Sequence, residues 1–284
     1  MSHNGSAVWV RGLRKTYGER TAVDGVDLEV SPGEVFALLG PNGAGKTTTV
    51  EILEGYRRRD SGDVSVLGQD PAHAGRDWRV RVGIVLQSVT DLSELTVRET
   101  VHHFASYYPD PRDPEEVIET VGLSSSAAQR TRLLSGGQRR RLDVALGILG
   151  RPELLFLDEP TTGFDPAARR LFWALVEDLA REGTTILLTT HYLEEAERLA
   201  DRVAVIARGS IVEVAAPAAL GGRQLALATV AWTDADGGRR SVQTAEPTRI
   251  VRDLAARFDG GEVPELSVTR PTLEETYLAM VGDE

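Results

Sequence analysis

A glycine-rich segment at residues 40–49 combines residue types at a spacing that suits the binding of a phosphate chain. Its sequence, GPNGAGKTTT, fits the pattern G-x-x-x-x-G-K-[ST]. Glycines allow backbone N–H groups to turn inward around phosphate oxygens, and the positive end of a following helix attracts the same charge. In this pattern Lys46 reaches the β- and γ-phosphates, and the Thr47 hydroxyl is a ligand of Mg²⁺. The sequence therefore predicts a site for a nucleoside triphosphate and Mg²⁺, although several kinds of NTPase share this loop.

Two carboxylates, Asp158 and Glu159, follow a second apolar run, LLFL at 154–157. At a strand end beside the phosphate loop, Asp158 would lie near Mg²⁺ with a water molecule between them. Glu159 would then face the γ-phosphate, where it could accept a proton from the attacking water. Alone, the pair could also be two surface acids at a strand end. Downstream of a phosphate loop, it indicates hydrolysis of the triphosphate.

A second anion-binding pattern lies at 134–138, with the sequence LSGGQ. A serine and two glycines at the start of a helix can bind an anion, although such a tripeptide alone is more often only a helix cap. A nucleotide already seated in the 40–49 loop offers one open side. We therefore expect the Ser135 helix to bind a nucleotide that is held by another copy of the chain.

The elements that must position these groups alternate between strands and helices. Solid apolar runs, typical of strands covered on both faces, lie at 35–39, 82–86, 154–157, 186–188 and 203–206. Helical patterns lie at 166–181 and 193–200. Because this order produces a parallel sheet with right-handed crossovers, the sequence predicts an α/β core.

Two further regions are expected around this core. From about 88 to 150 the pattern is helical, with a capping box of Thr96 and Glu99 and a helix start at Asp113. A small α+β appendix follows residue 217. Within it, residues 225–232 are strand-like, residues from 241 could pair back, and two apolar stripes predict helices, the second with a capping box at Thr272.

Composition excludes several classes of protein. The 284 residues carry 32 basic and 43 acidic side chains, a net charge of −11, which argues against binding nucleic acid by bulk electrostatics. The absence of cysteine excludes a disulfide framework and a thiolate metal site. No apolar run approaches the roughly 18 residues of a membrane span. If the protein works at a membrane, another subunit must hold it there.

Together these motifs resemble the ATP-binding subunit of ABC transporters, over about residues 5–215. The resemblance implies a RecA-like P-loop NTPase fold with a helical subdomain at 89–150, followed by the appendix at 216–284. Asp158 resembles the Walker B aspartate, and Glu159 the catalytic glutamate. The Walker A loop is identified as Gly40, Pro41, Asn42, Gly43, Ala44, Gly45, Lys46, Thr47 and Thr48, and the signature motif as Leu134, Ser135, Gly136, Gly137 and Gln138.

Four further residues are assigned through this resemblance alone. Gln87 resembles the Q-loop glutamine, which contacts Mg²⁺ and the membrane subunit. Asp165 resembles the D-loop aspartate, and His191 resembles the switch histidine that senses the γ-phosphate. Tyr17 resembles the aromatic residue that stacks on adenine. Taken singly, Gln87 and His191 would be ordinary polar residues, and Tyr17 could be a strand aromatic.

Within the family, the segments TTHYLEEAERLADRV and PTLEETYLAM are similar to those of exporters of the daunorubicin-resistance type. The resemblance implies ATP and Mg²⁺ as cofactors, a second ATP-binding subunit as partner in a homodimer, and no nucleic acid. It also implies a separate permease that exports a drug, antibiotic or other hydrophobic compound and holds this subunit at the cytoplasmic face of the cell membrane. Phe164 stands where the family usually has leucine, so we expect the packing of this loop to differ.

Two alternatives remain open at the level of sequence. A soluble ABC ATPase without a transporter, for example in iron–sulfur assembly, would carry the same motifs. A purely regulatory nucleotide-binding module is a third class, although the intact Glu159 and His191 speak against it. The residues identify neither the cargo nor whether the second cassette is an identical chain.

Overall fold

The computed structural model describes residues 5–85 and 94–282. The chain divides into two compact units, Met1–Val214 and Ala215–Glu284. Within the described residues, no helix is both long and apolar enough to cross a membrane.

The first unit is built on a six-stranded sheet that contains the apolar runs predicted as strands. Its order is β5 (Val82–Val85), β6 (Leu154–Asp158), β7 (Thr185–Thr190), β3 (Val35–Leu39), β8 (Arg202–Ala207) and β9 (Ser210–Ala215). The strands from β5 to β8 pair in parallel. Two of the helices between the parallel strands are α6 (Pro166–Arg181) and α7 (Leu193–Leu199). The predicted α/β core is confirmed.

A second sheet of the same unit is antiparallel, with the order β2 (Arg20–Val30), β1 (Val8–Tyr17) and β4 (Ser61–Val66). Residues of both sheets and of helix α1 (Lys46–Leu53) form one hydrophobic core, which includes Leu28, Phe36 and Ile52. The short helix α2 (Arg76–Arg79) adds Trp78, whose indole N–H donates to the carbonyl of Val66 at 2.8 Å. Because α1 packs into this shared core, its position after the phosphate loop is fixed.

The helical region follows the described end of β5. It contains α3 (Val97–Ala105), α4 (Pro114–Thr120), two 3₁₀ turns and α5 (Gly136–Ile148). The predicted capping box of Thr96 and Glu99 is confirmed, as is the Asp113 cap of α4. Helix α5 approaches the main sheet closely, because a Cβ atom on Gly83 would lie 2.3 Å from the carbonyl oxygen of Gly147.

The second unit contains a three-stranded antiparallel sheet with the order β11 (Arg239–Thr244), β10 (Ala228–Thr233) and β12 (Ser267–Thr269). Helices α8 (Pro247–Arg257) and α9 (Leu273–Val281) accompany it. A small core of Val230, Leu254 and Val263 joins the sheet to α8. The strand expected from residue 225 begins at residue 228, because residues 220–225 form a 3₁₀ helix.

Candidate nucleotide-binding site

One edge of the main sheet collects three of the segments that the sequence singled out. Strands β6, β7 and β3 are neighbours and run in parallel. Their carboxyl ends therefore lie together, and they lead directly into Glu159, His191 and the loop that begins at Gly40. Ligands of open α/β sheets bind at this edge, outside the carboxyl ends of the strands.

The loop at residues 40–48 is closely fitted to its surroundings. Gly43 and Gly45 have φ angles of 79° and 108°, values that side chains rarely tolerate. Lys46 is 6% exposed, and its ammonium donates to the carbonyls of Gly40 at 2.7 Å and Pro41 at 3.1 Å. The Lys46 ammonium thus lies inside the loop. From there it can exchange these two carbonyl acceptors for phosphate oxygens.

Gly40 and Gly45 leave no room for a side chain. A Cβ atom on Gly40 would lie 2.3 Å from the carbonyl oxygen of Ile206, and one on Gly45 would lie 2.4 Å from that of Ala22. Backbone atoms cannot move aside as a flexible side chain can. These two glycines therefore allow the loop to lie directly against β8 and β2.

We expect Gly40→Ala to lower the free energy of unfolding by about 1–3 kcal/mol, the usual cost of forcing atoms into a packed region. Nucleotide affinity should fall with it, because the loop must shift to relieve the clash. Chemical denaturation and nucleotide titration measure the two effects. Gly75→Ala is the matched control, because a Cβ atom at Gly75 meets nothing within 4 Å. Equal stability of the two variants would contradict this account of the loop.

A cavity of about 520 Å³ opens beside the loop. Of the residues predicted for the site, the lining includes Tyr17, Asn42, Gly43, Gly45, Lys46, Thr47, Thr48 and Glu159. Its volume is in the range of small-molecule sites. The cavity therefore brings together the residues expected to contact the base, the phosphates and the attacking water.

Tyr17 lies at the mouth of this cavity and is 39% exposed. Two cations accompany its ring: the Lys15 ammonium at 5.5 Å and the Arg57 guanidinium at 5.3 Å from the ring centroid. Arg57 is itself held by the Glu51 carboxylate at 2.5 Å. Cations within about 6 Å of an aromatic face are attracted to it, so the ring is held in place.

The carboxylates at the end of β6 have different surroundings. Asp158 is 8% exposed and accepts a hydrogen bond from the Thr189 hydroxyl at 2.5 Å. Glu159 lines the cavity, and its Oε2 atom lies 3.4 Å from Nδ1 of His191. Glu159 also has a φ of 45°, in the left-handed region. Backbone strain of this kind occurs at functional sites, where the surrounding structure must maintain it.

Burial shifts the pKa values of two ionisable groups near these carboxylates. Burial lowers the pKa of Lys46, while the nearby Glu159 and Asp158 act in the opposite direction. Burial also raises the pKa of Glu54 to about 8, and the negative charges of Asp158 and Glu51 act in the same direction. Glu54 is therefore protonated at neutral pH and adds no further negative charge beside Asp158.

The signature segment forms the start of α5. The Ser135 hydroxyl accepts from the backbone N–H of Gln138 at 3.2 Å, and the Gln138 side chain accepts from the N–H of Ser135 at 2.9 Å. Ser135 and Gly136 are exposed, whereas Leu134 is buried. No residue of this segment is among the described residues that line the 520 Å³ cavity. Within one chain, the signature segment and the phosphate loop do not form one pocket.

The remaining predicted residues have separate locations. Asp165 caps α6 by accepting from the N–H groups of Ala167 and Ala168, at 2.9 and 2.8 Å. Phe164, the departure from the family pattern, is 7% exposed and packs edge-on against Phe172. Gln87 lies outside the described residues.

Sequence reasoning missed several residues of the site. Arg20 lines the cavity and donates to the carbonyl of Gly43 at 3.2 Å. Thr189 binds Asp158, and Arg140 donates to main-chain carbonyls beside Glu159. None of these three residues belongs to a phosphate-binding or acidic motif. Each reaches the site because the fold packs its strand or helix against it. Only the run of three arginines at 139–141 offered a signal, without indicating which of them is buried.

Comparison with known proteins identifies the family of the chain. The family model described as ABC transporter matches residues 23–162. The daunorubicin resistance ATP-binding protein DrrA3 of Streptomyces coeruleorubidus is 36% identical, over 98% of this chain and 97% of that protein. The Nod factor export ATP-binding protein I of Ralstonia nicotianae is 38% identical, over 97% and 94%. The chain belongs to the ATP-binding proteins of the ABC transporter family, which are ATPases.

Solved structures show the same fold. The ATP-binding subunit of an ABC transporter is 25% identical with a TM-score of 0.69, over 76% of this chain and 92% of that one. A dimeric ATP-binding cassette in a post-hydrolysis state bound to ADP and Pi is 24% identical with a TM-score of 0.68, over 74% and 98%. The predicted P-loop NTPase fold of the ABC type is confirmed.

Proposed function

We propose that the chain binds and hydrolyses ATP as a subunit that drives export through a separate membrane permease. The observation that carries the proposal is the 520 Å³ cavity, because it joins an exposed aromatic ring, a phosphate loop and a carboxylate. In this proposal, residues 5–215 are the ATP-binding domain, with its helical subdomain at 89–150, and residues 216–284 are the appendix.

Each part of the cavity has a role in holding ATP. Tyr17 stacks on the adenine ring, and its flanking cations hold it in the required orientation. The backbone N–H groups of the 40–48 loop surround the β-phosphate, at the start of α1. Lys46 provides a point charge for the β- and γ-phosphates, and burial strengthens that interaction because water screens it less.

The donors at this edge fit Mg²⁺. The Thr47 hydroxyl and the Asp158 carboxylate are oxygen ligands of the kind that this ion prefers, and Gln87 is the third proposed ligand. No group of three or more histidine, cysteine or acidic side chains that could hold a metal ion occurs within residues 5–85 and 94–282. A site with few protein ligands suits Mg²⁺, which keeps several waters and binds substrate phosphates. When bound, the ion neutralises charge on the phosphates.

Hydrolysis is assigned to Glu159 and His191. The Glu159 carboxylate, at the cavity wall, accepts a proton from the water that attacks the γ-phosphate. His191, at 3.4 Å from this carboxylate, is close enough to orient it and to respond to the γ-phosphate. Glu159 and His191, which follow β6 and β7, would thus both act on the bound nucleotide.

The signature segment completes the site of a second copy. Ser135, Gly136 and Gly137 present the positive end of α5 to the solvent, and they do not line the cavity of their own chain. Two chains that close head to tail would bring this helix end to the partner's γ-phosphate, with Asp165 near the contact. ATP then stabilises the closed pair, and hydrolysis allows it to open.

The permease and the membrane location are proposed from relatives. Two relatives are daunorubicin resistance ATP-binding proteins, and several are Nod factor export ATP-binding proteins. We propose that this chain is held at the cytoplasmic face by a permease, and that the exported compound is a drug, an antibiotic or another hydrophobic molecule. The roles proposed for the cavity all concern the nucleotide, so we assign cargo selection to the permease.

Lys46→Ala is expected to weaken ATP binding by at least about 10-fold, because removal of one charge-assisted hydrogen bond costs about 1.5–3 kcal/mol. Titration of the purified chain with Mg·ATP measures the dissociation constant. Arg239→Ala, which removes an exposed cation in the second unit, is the control and should bind as wild type. Equal ATP affinity of the two variants would refute the assignment of the loop.

Export is tested by expression together with a candidate permease, encoded beside this chain, in drug-sensitive cells. Cells with both proteins should accumulate less daunorubicin, the drug in one relative's name, than cells with the permease and the Glu159→Gln variant. If purification of the permease from membranes leaves the ATP-binding chain behind, and efflux is equal in both strains, the proposed pairing is wrong.

A further inference from the structure

We propose that Arg140 is a positioning residue for ATP hydrolysis, which holds the Glu159 backbone in its strained conformation from helix α5. The inference rests on the proposed role of Glu159 as the base. Arg140 is not among the described residues that line the 520 Å³ cavity, so it would act through the main chain on either side of Glu159.

Two hydrogen bonds of Arg140 are directed at the residues that flank Glu159. Arg140 lies in the second turn of α5 and is 7% exposed. Its Nε atom donates to the carbonyl of Pro160 at 3.0 Å, and its Nη2 atom donates to the carbonyl of Asp158. The planar guanidinium presents several donors in a fixed fork, which suits two carbonyls two residues apart.

The Glu159 backbone needs such support, because its φ of 45° is unfavourable for a residue with a side chain. The N–H group of Glu159 donates to the carbonyl and to the hydroxyl of Thr189, both at 3.1 Å. Thr189 therefore holds the N–H of Glu159, and Arg140 holds the carbonyls before and after it. Loss of the arginine frees the segment to relax, and the carboxylate would turn away from the attacking water.

Packing alone does not account for a charge at this position. Burial lowers the pKa of Arg140, against the attraction of Asp143, Asp158 and Glu159. Asp143, one turn further along α5, has an Oδ1 atom without a hydrogen-bond partner among the described residues, and burial raises its pKa to about 7. An apolar side chain of similar volume often serves stability as well as a buried charge does. Its hydrogen bonds to the carbonyls of Asp158 and Pro160 give the guanidinium a directed role at this position.

The position of Arg140 also joins the two halves of the proposed dimeric site. Ser135 caps the same helix five residues earlier and is proposed to meet the partner's nucleotide. A movement of α5 on closure would therefore reach the Glu159 segment of the same chain through one buried side chain.

The neighbouring arginines provide matched controls. Arg139 donates to the carbonyl of Thr131 at 3.1 Å, and Arg141 donates to the carbonyl of Gly122 at 2.8 Å. Both contacts stay within the helical region. Arg141→Met removes the same kind of side chain and the same kind of hydrogen bond from the same helix, without touching the Glu159 segment.

The test measures the kcat for ATP and the dissociation constant for ATP in full-length Arg140→Met, Arg140→Lys, Arg141→Met and Glu159→Gln. We expect the kcat of Arg140→Met to fall by about 10²-fold, the effect of a misplacement of about 1 Å. Its ATP affinity should stay within about 3-fold of wild type, since the phosphate loop is untouched. Arg140→Lys, which can still donate to one carbonyl, should lose less, and Arg141→Met should turn over as wild type.

The double variant Arg140→Lys/Glu159→Gln distinguishes positioning from general damage, and it applies even if Arg140→Met does not fold. If Arg140 acts through Glu159, the lysine substitution lowers the kcat of wild type but leaves the residual kcat of Glu159→Gln unchanged. The role of Arg140 would be overturned if the lysine substitution lowered the kcat equally in wild type and in Glu159→Gln. It would also be overturned if Arg140→Met turned over as wild type while Glu159→Gln was inactive. Neither result would affect the proposed role of Glu159. Wild-type turnover of Glu159→Gln itself would instead overturn the proposed base, and the inference with it.

Discussion

Glu159→Gln is expected to lower ATP turnover by about 10²–10⁴-fold, the usual contribution of a general base. The amide has nearly the same shape as the carboxylate but does not accept the proton of the attacking water. ATP should still bind, because Lys46 and the loop that holds the phosphates are intact. Steady-state phosphate release and an ATP titration of the same preparation measure the two effects separately.

The control for this variant is Glu153→Gln. Glu153 stands immediately before β6, as Glu159 stands immediately after it, but its carboxylate pairs with Arg81 far from the cavity. Its loss removes an ion pair between half-exposed groups, which contributes little, so turnover should be unaffected. Normal turnover of Glu159→Gln, or an equal loss in Glu153→Gln, would remove Glu159 from the role of base.

Mixing two inactive variants should restore ATPase activity. We expect Ser135→Ala alone to lower turnover by about 10²-fold, as the loss of one oxyanion-type donor does. Lys46→Ala alone should also have very low activity, because it binds ATP weakly and lacks the charge that holds the β- and γ-phosphates. In a mixed pair, one of the two shared sites has both an intact Lys46 and an intact Ser135. A 1:1 mixture should therefore recover about a quarter of the wild-type rate, since about half of the pairs are mixed and each has one good site.

The Ser135 hydroxyl also caps its own helix, so the loss of the cap has to be measured separately. Thr96→Ala removes a cap of the same kind from α3, where no nucleotide is proposed to bind. Both variants should lose about 0.5–2 kcal/mol of stability, but only Ser135→Ala should lose turnover. A mixture that stays as inactive as its components would contradict the sharing of sites between chains.

The sequence predicted the parts of this site that depend on local spacing. The phosphate loop, the end of β6 and the caps at Thr96 and Ser135 are short patterns in which each residue needs only its near neighbours. The structure has these caps as predicted, and the apolar runs as neighbouring parallel strands. Local rules sufficed because each such element carries its own start signal and its own buried face.

The contacts that connect these parts could not be predicted in the same way. Arg57 lies 40 residues after Tyr17 and yet flanks its ring, and Arg140 reaches the carbonyl of Pro160, 20 residues further on. Both depend on how separate elements pack, and both arginines sit in runs of basic residues that look alike in sequence. The antiparallel strands β4 and β12 also lack an apolar run, so their sequences do not distinguish them from turns.

The central claim is that ATP joins two copies of the chain, with each nucleotide held between the phosphate loop of one and the signature helix of the other. Light scattering of Glu159→Gln with and without saturating Mg·ATP tests this claim most directly. The account predicts a change from the mass of one chain to the mass of two, reversed when ATP is removed, and no such change in Glu159→Gln/Ser135→Ala. A mass that stays at one chain under saturating Mg·ATP would contradict it.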